Sequence, residues 1–593
     1  MHTSLAESRD HLLQALDDEI ISLEESTRAL RSRRNALAPI SRLPPETLAA
    51  IFSLLPPPAL FTFLCKGHLA WICVTHVCRK WRETALNHPY LWSHINFTRL
   101  TPVAMAEILA RTKMEPLYLG AAYFNLSAAQ LDTFEKQLEV HISHTRHLNI
   151  SAHLQSTLDR LVSPAPILEF LSLSHASHQY KLPQVVIPIN LFNGTVPSLT
   201  SLELENCNIS WKSPLLKGLR TLKIFSPSTE ARPKVEDWLG ALNEMPQLET
   251  LILENATPIA PPAVPLISEP SRAVTLPSLT RFHISASAKD CALALAHLML
   301  PALTELHVDA KSHDGGGEDV RLIIPYVARN LYGLQDTELR SLLIGGCRTS
   351  IIVRAWTIPG IDFDSVDPNL SFNASVLDTR GSVKWLHGVD TAITDALLTI
   401  VPVNSVSTLT TRDSTRLSKE FWLSHVPSWP LLERVCLVPT TIKAFRDMLV
   451  EDAPPDGPRL PSLTKITLTF VKLTAPRTFH LCDMLMERVE QGVPLEVLDL
   501  HLCIVADRAI RLFKEIVVDV QMQPAAGTTM EEPTLLNWNG GIGYCGEVEY
   551  YDKRVSHDGI YGYEDEAEYD SYDEVQERYI RDYYGLWVRR LVI

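Results

Sequence analysis

The stretch PSLTSLEL, residues 197–204, carries the pattern that determines most of this fold. Its leucines follow the spacing L-x-x-L-x-L, and the last two alternate with other residues as in a strand with one buried face. Nine further copies, with conservative replacements, begin at Leu168, Leu219, Leu248, Leu279, Leu303, Leu339, Leu432, Leu463 and Leu495. Starts lie 20 to 32 residues apart between Leu168 and Leu303 and again between Leu432 and Leu495. One short structural unit is therefore repeated along the chain.

Prolines mark the same unit independently. One stands two residues before the first leucine of seven copies: Pro166, Pro197, Pro246, Pro277, Pro301, Pro430 and Pro461. A proline there is predicted to end the preceding helix and to hold an extended entry to the strand. Each unit is then a strand, a turn and a returning helix such as residues 235–246. One unit cannot bury its apolar face alone, so neighbours are expected to stack and their strands to form a parallel sheet.

Units of this pattern and length resemble leucine-rich repeats. The resemblance predicts an α/β fold over residues 99–522, a solenoid with a parallel inner sheet and outer helices. The pattern is lost over residues 347–405, which indicates a diverged repeat or an insertion. A set of buried strands with an unrelated topology is the alternative interpretation of the whole region.

Length and charge restrict the functional classes. The chain has 593 residues, more than one ordinary domain, and its formal net charge of −15 offers no basic surface to nucleic acid. No apolar run reaches the roughly 18 residues of a membrane span, and the first residues lack the apolar region of a signal peptide. Ten cysteines without a CxxC pair indicate reduced thiols. We therefore expect a cytoplasmic or nuclear protein without nucleic-acid or membrane partners.

Residues 1–38 are predicted to form a long amphipathic, coiled-coil-like helix that Pro39 ends. Its heptad seam consists of Leu13, Leu16, Ile20, Leu23, Thr27, Leu30, Arg34 and Leu37. Charged residues fill the other faces, as in a coiled coil. The seam can pair with a second copy in a homodimer or pack on the body of the protein, and the sequence favours neither.

Residues 39–98 are predicted to form a small all-α module. In its first helix Leu48, Ile51, Phe52 and Leu55 have the spacing of one buried face. A second helix, from about Leu69 to Leu86, carries two apolar stripes: Trp71, Val74, Cys78, Trp81 and Ala85 form one, and Leu69, Ile72, Cys73 and Val77 form the other. A surface helix buries only one stripe, so a partner protein, or alternatively the chain from residue 100 onward, is expected to cover the second.

Two segments of this module, LPPETLAAIF at residues 43–52 and VCRKWRETALNHPYLW at residues 77–92, resemble an F-box. They are most similar to the F-box-like form that accompanies an N-terminal coiled helix in mushroom-type fungal proteins, although the linker from Pro56 is longer than usual. The resemblance implies that the module docks on a Skp-type adaptor and thereby joins a cullin-RING ubiquitin ligase. It assigns the adaptor contacts to Leu43, Pro44, Glu46, Leu48, Ile51, Phe52, Trp71, Val74, Val77, Cys78, Trp81, Arg82 and Trp92.

Residues 523–593 form an acidic, tyrosine-rich tail that is predicted to be partly disordered, because dense like charge opposes compaction. A G-x-G-x-x-G motif at Gly541 to Gly546 lacks the helix start of a phosphate site. Histidines at 141, 144 and 147 lack a completing carboxylate or cysteine, and Cys73, His76 and Cys78 are wrongly spaced for a tetrahedral ion. We therefore predict no metal and no cofactor.

Nothing in the sequence resembles a nucleophile elbow, a P-loop or a paired-carboxylate motif, so no catalytic residue is assigned. The leading hypothesis is a non-catalytic substrate-recognition subunit of an SCF-type cullin-RING ubiquitin ligase, with the F-box on the adaptor and the repeats on an unidentified protein substrate. The alternative is a leucine-rich-repeat interaction scaffold without a ubiquitin role, in which the F-box-like unit caps the first repeat. A hydrolase or transferase has no site to support it.

Overall fold

The computed structural model describes residues 2–55, 70–97, 100–122, 128–152, 155–175, 184–261, 272–312, 318–331, 338–347, 350–360, 366–376, 389–413, 417–450, 458–469, 471, 473 and 475–523. The acidic tail beyond Gln523, the glycine motif and the linker at residues 56–69 lie outside these residues.

The helices are α1 (His2–Ala36), α2 (Pro45–Phe52), α3 (Arg79–Leu86), α4 (Pro102–Thr112), α5 (Ala128–His141), α6 (Gln155–Arg160), α7 (Val235–Asn243), α8 (Ala288–Ala296), α9 (Glu318–Arg321), α10 (Ile324–Asn330), α11 (Val389–Ile400), α12 (Lys419–His425), α13 (Ile442–Val450), α14 (Ala475–Glu490) and α15 (Asp507–Ile516). The strands are β1 (His94–Asn96), β2 (Leu117–Ala122), β3 (Thr145–Ala152), β4 (Phe170–His175), β5 (Val185–Val186), β6 (Ser201–Glu205), β7 (Cys207–Asn208), β8 (Thr221–Phe225), β9 (Thr250–Glu254), β10 (Val274–Thr275), β11 (Arg281–Ser287), β12 (Leu298–Met299), β13 (Glu305–Ser312), β14 (Ser341–Cys347), β15 (Ser350–Trp356), β16 (Leu370–Val376), β17 (Thr408–Asp413), β18 (Arg434–Leu437), β19 (Lys465–Thr469), β20 (Val497–His501) and β21 (Asp519–Gln523).

The N-terminal region is helical, but the predicted helix from Leu69 to Leu86 is not continuous. A 3-10 helix covers Ala70–His76, and α3 starts only after Cys78, which has the extended backbone of an N-cap residue. The cause is local, because β-branched residues at 74, 75 and 77 disfavour the α-helix and the Thr75 hydroxyl donates to the Ile72 carbonyl. The two predicted stripes therefore do not run along one helix.

Seventeen of the strands described above form one large sheet. Their pairing order is β1-β2-β3-β4-β6-β8-β9-β11-β13-β16-β15-β14-β17-β18-β19-β20-β21. Within this sheet every pairing is parallel except the two that β15 makes. The predicted mixed α/β class, with a helical N-terminal region and a large, mostly parallel sheet, is confirmed.

The leucine pattern sets the position of the strands. Each of the ten copies starts a strand two residues after its first leucine, as β6 starts at Ser201 after Leu199. Leucines of the pattern are buried, whereas the residues between them on the strand are half-exposed, as in β4, β6 and β20. The sheet therefore has one face in the core, where helices such as α8 cover it, and one open face that carries alternate residues.

The seven prolines act in turns and not at helix ends. Each occupies the second position of a four-residue turn that a backbone hydrogen bond closes, for example from Leu248 N to Met245 O at 3.1 Å and from Leu463 N to Leu460 O at 3.1 Å. Proline favours this position because its fixed φ matches the second residue of a type I or II turn and no N–H is needed there. The turn then delivers the first leucine to the core.

The irregular region is built differently from the rest. After β13 the chain passes to β14, turns back through the antiparallel β15 and returns as β16, which pairs with β13. Gly346 permits the reversal, because a Cβ on it would lie 2.5 Å from the Ser350 carbonyl oxygen. β17 then pairs with β14, so a three-strand antiparallel block joins the two parallel parts of the sheet.

Candidate protein-interaction surface

The helical module at residues 39–97 has its own apolar core. Leu48 and Phe52 on α2 are buried, as are Val74 in the 3-10 helix and Ala85 on α3. The Phe52 and Trp81 rings pack with their centroids 5.2 Å apart. α2 therefore packs against α3 through side chains that the module itself supplies.

Polar contacts fix the ends of α2. Lys80 on α3 donates from Nζ to the carbonyl oxygens of Ser41, at 2.9 Å, and Leu43, at 2.8 Å. The Ser53 hydroxyl lies 2.8 Å from His88 Nε2, and burial lowers the pKa of His88. These contacts hold the segment from Ser41 to Ser53 in one position on α3.

The module continues directly into the sheet. Trp92 is buried, donates from Nε1 to the Ala85 carbonyl at 2.8 Å and lies under the Arg111 guanidinium at 4.4 Å. The Phe97 and Phe134 rings meet at 4.9 Å, and β1 forms the first strand of the sheet beside β2. The C-terminal part of the module thus covers the start of the sheet.

The structure divides the thirteen predicted contact residues into groups. The exposed ones are Pro44, Glu46, Ile51, Val77 and Arg82; the half-buried ones are Leu43, Cys78 and Trp81; the buried ones are Leu48, Phe52, Val74 and Trp92; the side chain of Trp71 lies outside the described part of the module. The four buried residues fill the core, so a partner cannot touch them in this structure. The predicted buried face of α2 is also wrong in part, because Ile51 and Leu55 are exposed.

Among the described side chains of the module, five large apolar ones are exposed, namely Ile40, Ile51, Leu54, Leu55 and Val77, and we call them the apolar set. Ile51 lies at the end of α2, and Leu54 and Leu55 follow in the turn that begins with the hydrogen bond from Leu54 N to Ile51 O at 3.2 Å. Single exposed apolar residues are ordinary, but several in one small module are typical of an interaction surface. Ile40 and Leu54 were not predicted from the sequence, and Leu55 was assigned to the buried face of the helix. The position of Leu54 three residues after Ile51 was the available signal.

The open face of the sheet begins with a row of aromatic rings. His94 stacks on Tyr118 with ring centroids 4.3 Å apart, Tyr118 lies 5.9 Å from His147, and His147 stacks on Phe170 at 3.9 Å. Burial lowers the pKa of His94 and of His147 to about 4, so both rings are neutral near pH 7. This row was not predicted from the sequence, although each of its members directly precedes a buried apolar residue of its strand.

The predicted absence of a metal site concerned two histidine-containing clusters. His141 Nδ1 and His144 Nε2 lie 3.2 Å apart, whereas His147 faces the aromatic row on β3. No group of three metal-ligating side chains occurs in the part of the chain that the structure describes. Within that part, no helix has the length and apolarity to cross a membrane.

The geometry defines a small helical module with exposed apolar side chains, joined to a large, mostly parallel sheet. Residues 40–98 match the F-box-like family, so the chain carries an F-box-like domain where the sequence resemblance predicted one. Domains of this family generally bind Skp-type adaptors and typically belong to non-catalytic adaptor subunits. No curated protein matches the chain.

Proposed function

We propose that this chain is the substrate-recognition subunit of an SCF-type cullin-RING ubiquitin ligase and that its F-box-like domain docks on a Skp-type adaptor. The observation that supports docking is the apolar set, which the domain's own core leaves exposed. Covering such side chains is favourable by about 25 cal/mol for each Å² removed from water, so a partner that covers them gains binding free energy. The family match supplies the kind of partner.

The proposed contact surface differs from the sequence-based assignment in one respect. Ile51 and Val77 provide apolar contacts, Glu46 and Arg82 provide charges at the rim, and Leu43, Pro44, Trp71, Cys78 and Trp81 complete the surface. Leu48, Phe52, Val74 and Trp92 act indirectly, because they hold the helices that present the contact residues. This division separates variants that unfold the domain from variants that remove only the contact.

The remainder of the chain is proposed to be a leucine-rich-repeat solenoid over residues 99–522 that holds a protein substrate. Support comes from the constant offset between each first leucine and its strand and from the parallel pairing of successive strands. The subunit would act in the cytoplasm or nucleus by positioning. It raises the effective concentration of a substrate lysine near a ubiquitin-carrying enzyme and performs no bond chemistry itself.

A second function has its own supporting observation. β1 belongs both to the segment that matches the F-box-like family and to the first edge of the sheet. A stacked array needs a cap over its terminal unit, and the buried Trp92 and Phe97 are placed to provide one. A scaffold without a ubiquitin role would need this cap alone.

The test is co-purification of the full-length chain with a Skp-type adaptor after co-expression. Ile51→Asp combined with Val77→Asp places charges in the apolar set, and adaptor recovery is expected to be lost. Val103→Asp is the matched control, because Val103 is 81% exposed on α4 outside the set, and recovery there should equal that of wild type. Undiminished recovery with the folded double variant contradicts docking at this surface. A wild-type chain that recovers no adaptor favours the capping function.

A further inference from the structure

The heptad seam of α1 is uncovered in the structure. Its apolar members from Leu13 to Leu37 are between 49% and 80% exposed. The described part of the protein body therefore does not cover this seam. Packing on the body was one of the two alternatives from the sequence. In this heptad the a positions are Leu13, Ile20, Thr27 and Arg34, and the d positions are Leu16, Leu23, Leu30 and Leu37. Leucine at every d position is typical of a helix that pairs with another helix.

Charge along α1 is divided into two halves of opposite sign. From Asp10 to Glu25 there are six acidic residues and no lysine or arginine, whereas residues 26–36 contain four arginines and no acidic residue. Two such helices side by side in parallel place like charge beside like charge. In antiparallel orientation each acidic half lies along a basic half, so the charges favour the antiparallel pair.

The seam also fits an antiparallel pair in one register. When residue i of one copy lies opposite residue 50 − i of the other, every a position meets a d position. The layers are Leu13 with Leu37, Leu16 with Arg34, Ile20 with Leu30, and Leu23 with Thr27. By symmetry each layer occurs twice, and a shift by one heptad in either direction loses one layer at each end of the pair. A parallel pair instead places Arg34 against Arg34 inside the seam, which buries two like charges together.

The positions that flank the seam agree with this register. In antiparallel pairs, e positions face e positions and g positions face g positions, so Asp17 meets Arg31 and Glu19 meets Arg33, each twice by symmetry. Glu24 faces its own copy across the twofold axis, but each Glu24 carboxylate is already 2.6 Å from Arg28 of the same helix. A parallel pair would set Glu19 against Glu24 and form no attractive pair at these positions.

We infer that the chain forms a homodimer through an antiparallel pair of α1 helices centred near Glu25. Because a helix rises about 1.5 Å per residue, the paired segment is roughly 36 Å long, and the two F-box-like domains leave it at opposite ends. The dimer therefore presents two copies of the apolar set, one beyond each end of the paired segment. The inference needs no adaptor and holds for either proposed function.

A charge-swap experiment with full-length chains tests both pairing and orientation. The basic variant carries Asp17→Arg and Glu19→Arg; the acidic variant carries Arg31→Glu and Arg33→Glu. None of these four side chains makes a described intrahelical ion pair, so α1 keeps its helix in both variants. Self-association is measured by sedimentation over a concentration series, with the 66.5 kDa monomer mass as reference.

Each variant alone is expected to self-associate about 100-fold more weakly than wild type, because four weak attractions become repulsions in its homodimer. An equimolar mixture restores all four attractive pairs and is expected to form a 1:1 heterodimer near the wild-type affinity. Asp18→Arg with Glu25→Arg makes the same charge change at outward f positions and should leave self-association within about twofold of wild type. A parallel pair would strengthen the basic variant, since Glu19→Arg would place a positive charge opposite Glu24, and that result overturns the inference. A wild-type chain that stays monomeric at all concentrations also overturns it.

Discussion

The aromatic row on the open face makes the stability of the sheet dependent on pH. His147 is stacked on Phe170 with an interplanar angle of 5°, and burial together with the nearby His94 lowers its pKa from 6.5 to about 4. The folded chain therefore binds a proton at this ring more weakly than the unfolded chain does. The stability that the neutral His147 ring contributes is fully present above pH 6.5, declines as the pH falls from 6.5 toward 4, and is absent below about pH 4.

The magnitude follows from the two pKa values. At pH 5 the unfolded imidazole is almost fully protonated and the folded one is almost fully neutral. At this pH, protonation of His147 favours the unfolded state about 30-fold more than it favours the folded state. This factor corresponds to about 2 kcal/mol of unfolding free energy lost relative to pH 7.5. His147→Phe keeps an aromatic ring on Phe170 but removes the titrating group, so that variant should not suffer this loss.

Urea unfolding at pH 7.5 and pH 5.0 measures the effect. Wild type is expected to lose about 2 kcal/mol more than His147→Phe between the two pH values, because the other titrating groups contribute equally to both proteins. His11→Phe, on the exposed surface of α1, is the control and should behave as wild type. Equal losses in wild type and in His147→Phe would show that burial does not shift the proton equilibrium of this ring.

Two further predictions concern packing. Arg488 on α14 is 1% exposed and donates to the carbonyl oxygens of Arg459, Leu460 and Leu463. Arg488→Met should therefore cost about 3 kcal/mol of unfolding free energy, measured in urea. An equal cost for Arg511→Met, at an exposed position, would contradict a stabilising role of these hydrogen bonds. Leu48 is 0% exposed and Ile51 is 40% exposed. Leu48→Ala should therefore cost about 2 to 5 kcal/mol of unfolding free energy, and Ile51→Ala less than about 1 kcal/mol. In calorimetry, Ile51→Ala is nevertheless expected to weaken binding of the proposed adaptor. Similar stability costs for the two would refute the division of the domain into core and contact residues.

The sequence predicted the strands that keep leucine at all three positions of the pattern, or replace it conservatively. It missed strands in which other residues fill the same places. In β17 these places are taken by Val406, Leu409 and Thr411, and in β21 by Val517, Val520 and Met522. The side chains of Val406, Leu409, Thr411 and Val517 are buried, and those of Val520 and Met522 are half-buried, hence the position requires burial and not leucine itself. A search for leucine alone therefore misses strands both within the sheet and at its end.

In the F-box-like domain, the burial of individual side chains was harder to predict, because its short segments have several apolar faces. Val74 and Val77 are both apolar, yet the break before α3 buries Val74 and exposes Val77. Periodicity placed the two residues in different stripes, but because it assumes a continuous helix it could not locate the break that separates them. The contacts of Lys80 with two carbonyl oxygens were also invisible to pattern analysis, since they join residues almost forty positions apart.

The antiparallel block formed by β14, β15 and β16 affects the order in which the protein can be assembled during synthesis. A ribosome delivers β14 before β16, but the growing edge of the sheet at β13 accepts β16. Strand-by-strand addition from the N-terminus therefore pauses at β13 until the three-strand ribbon has emerged and folded back. Everything from β17 onward depends on that ribbon as its template, so the nascent chain carries an unfinished edge for longer here than at any parallel step.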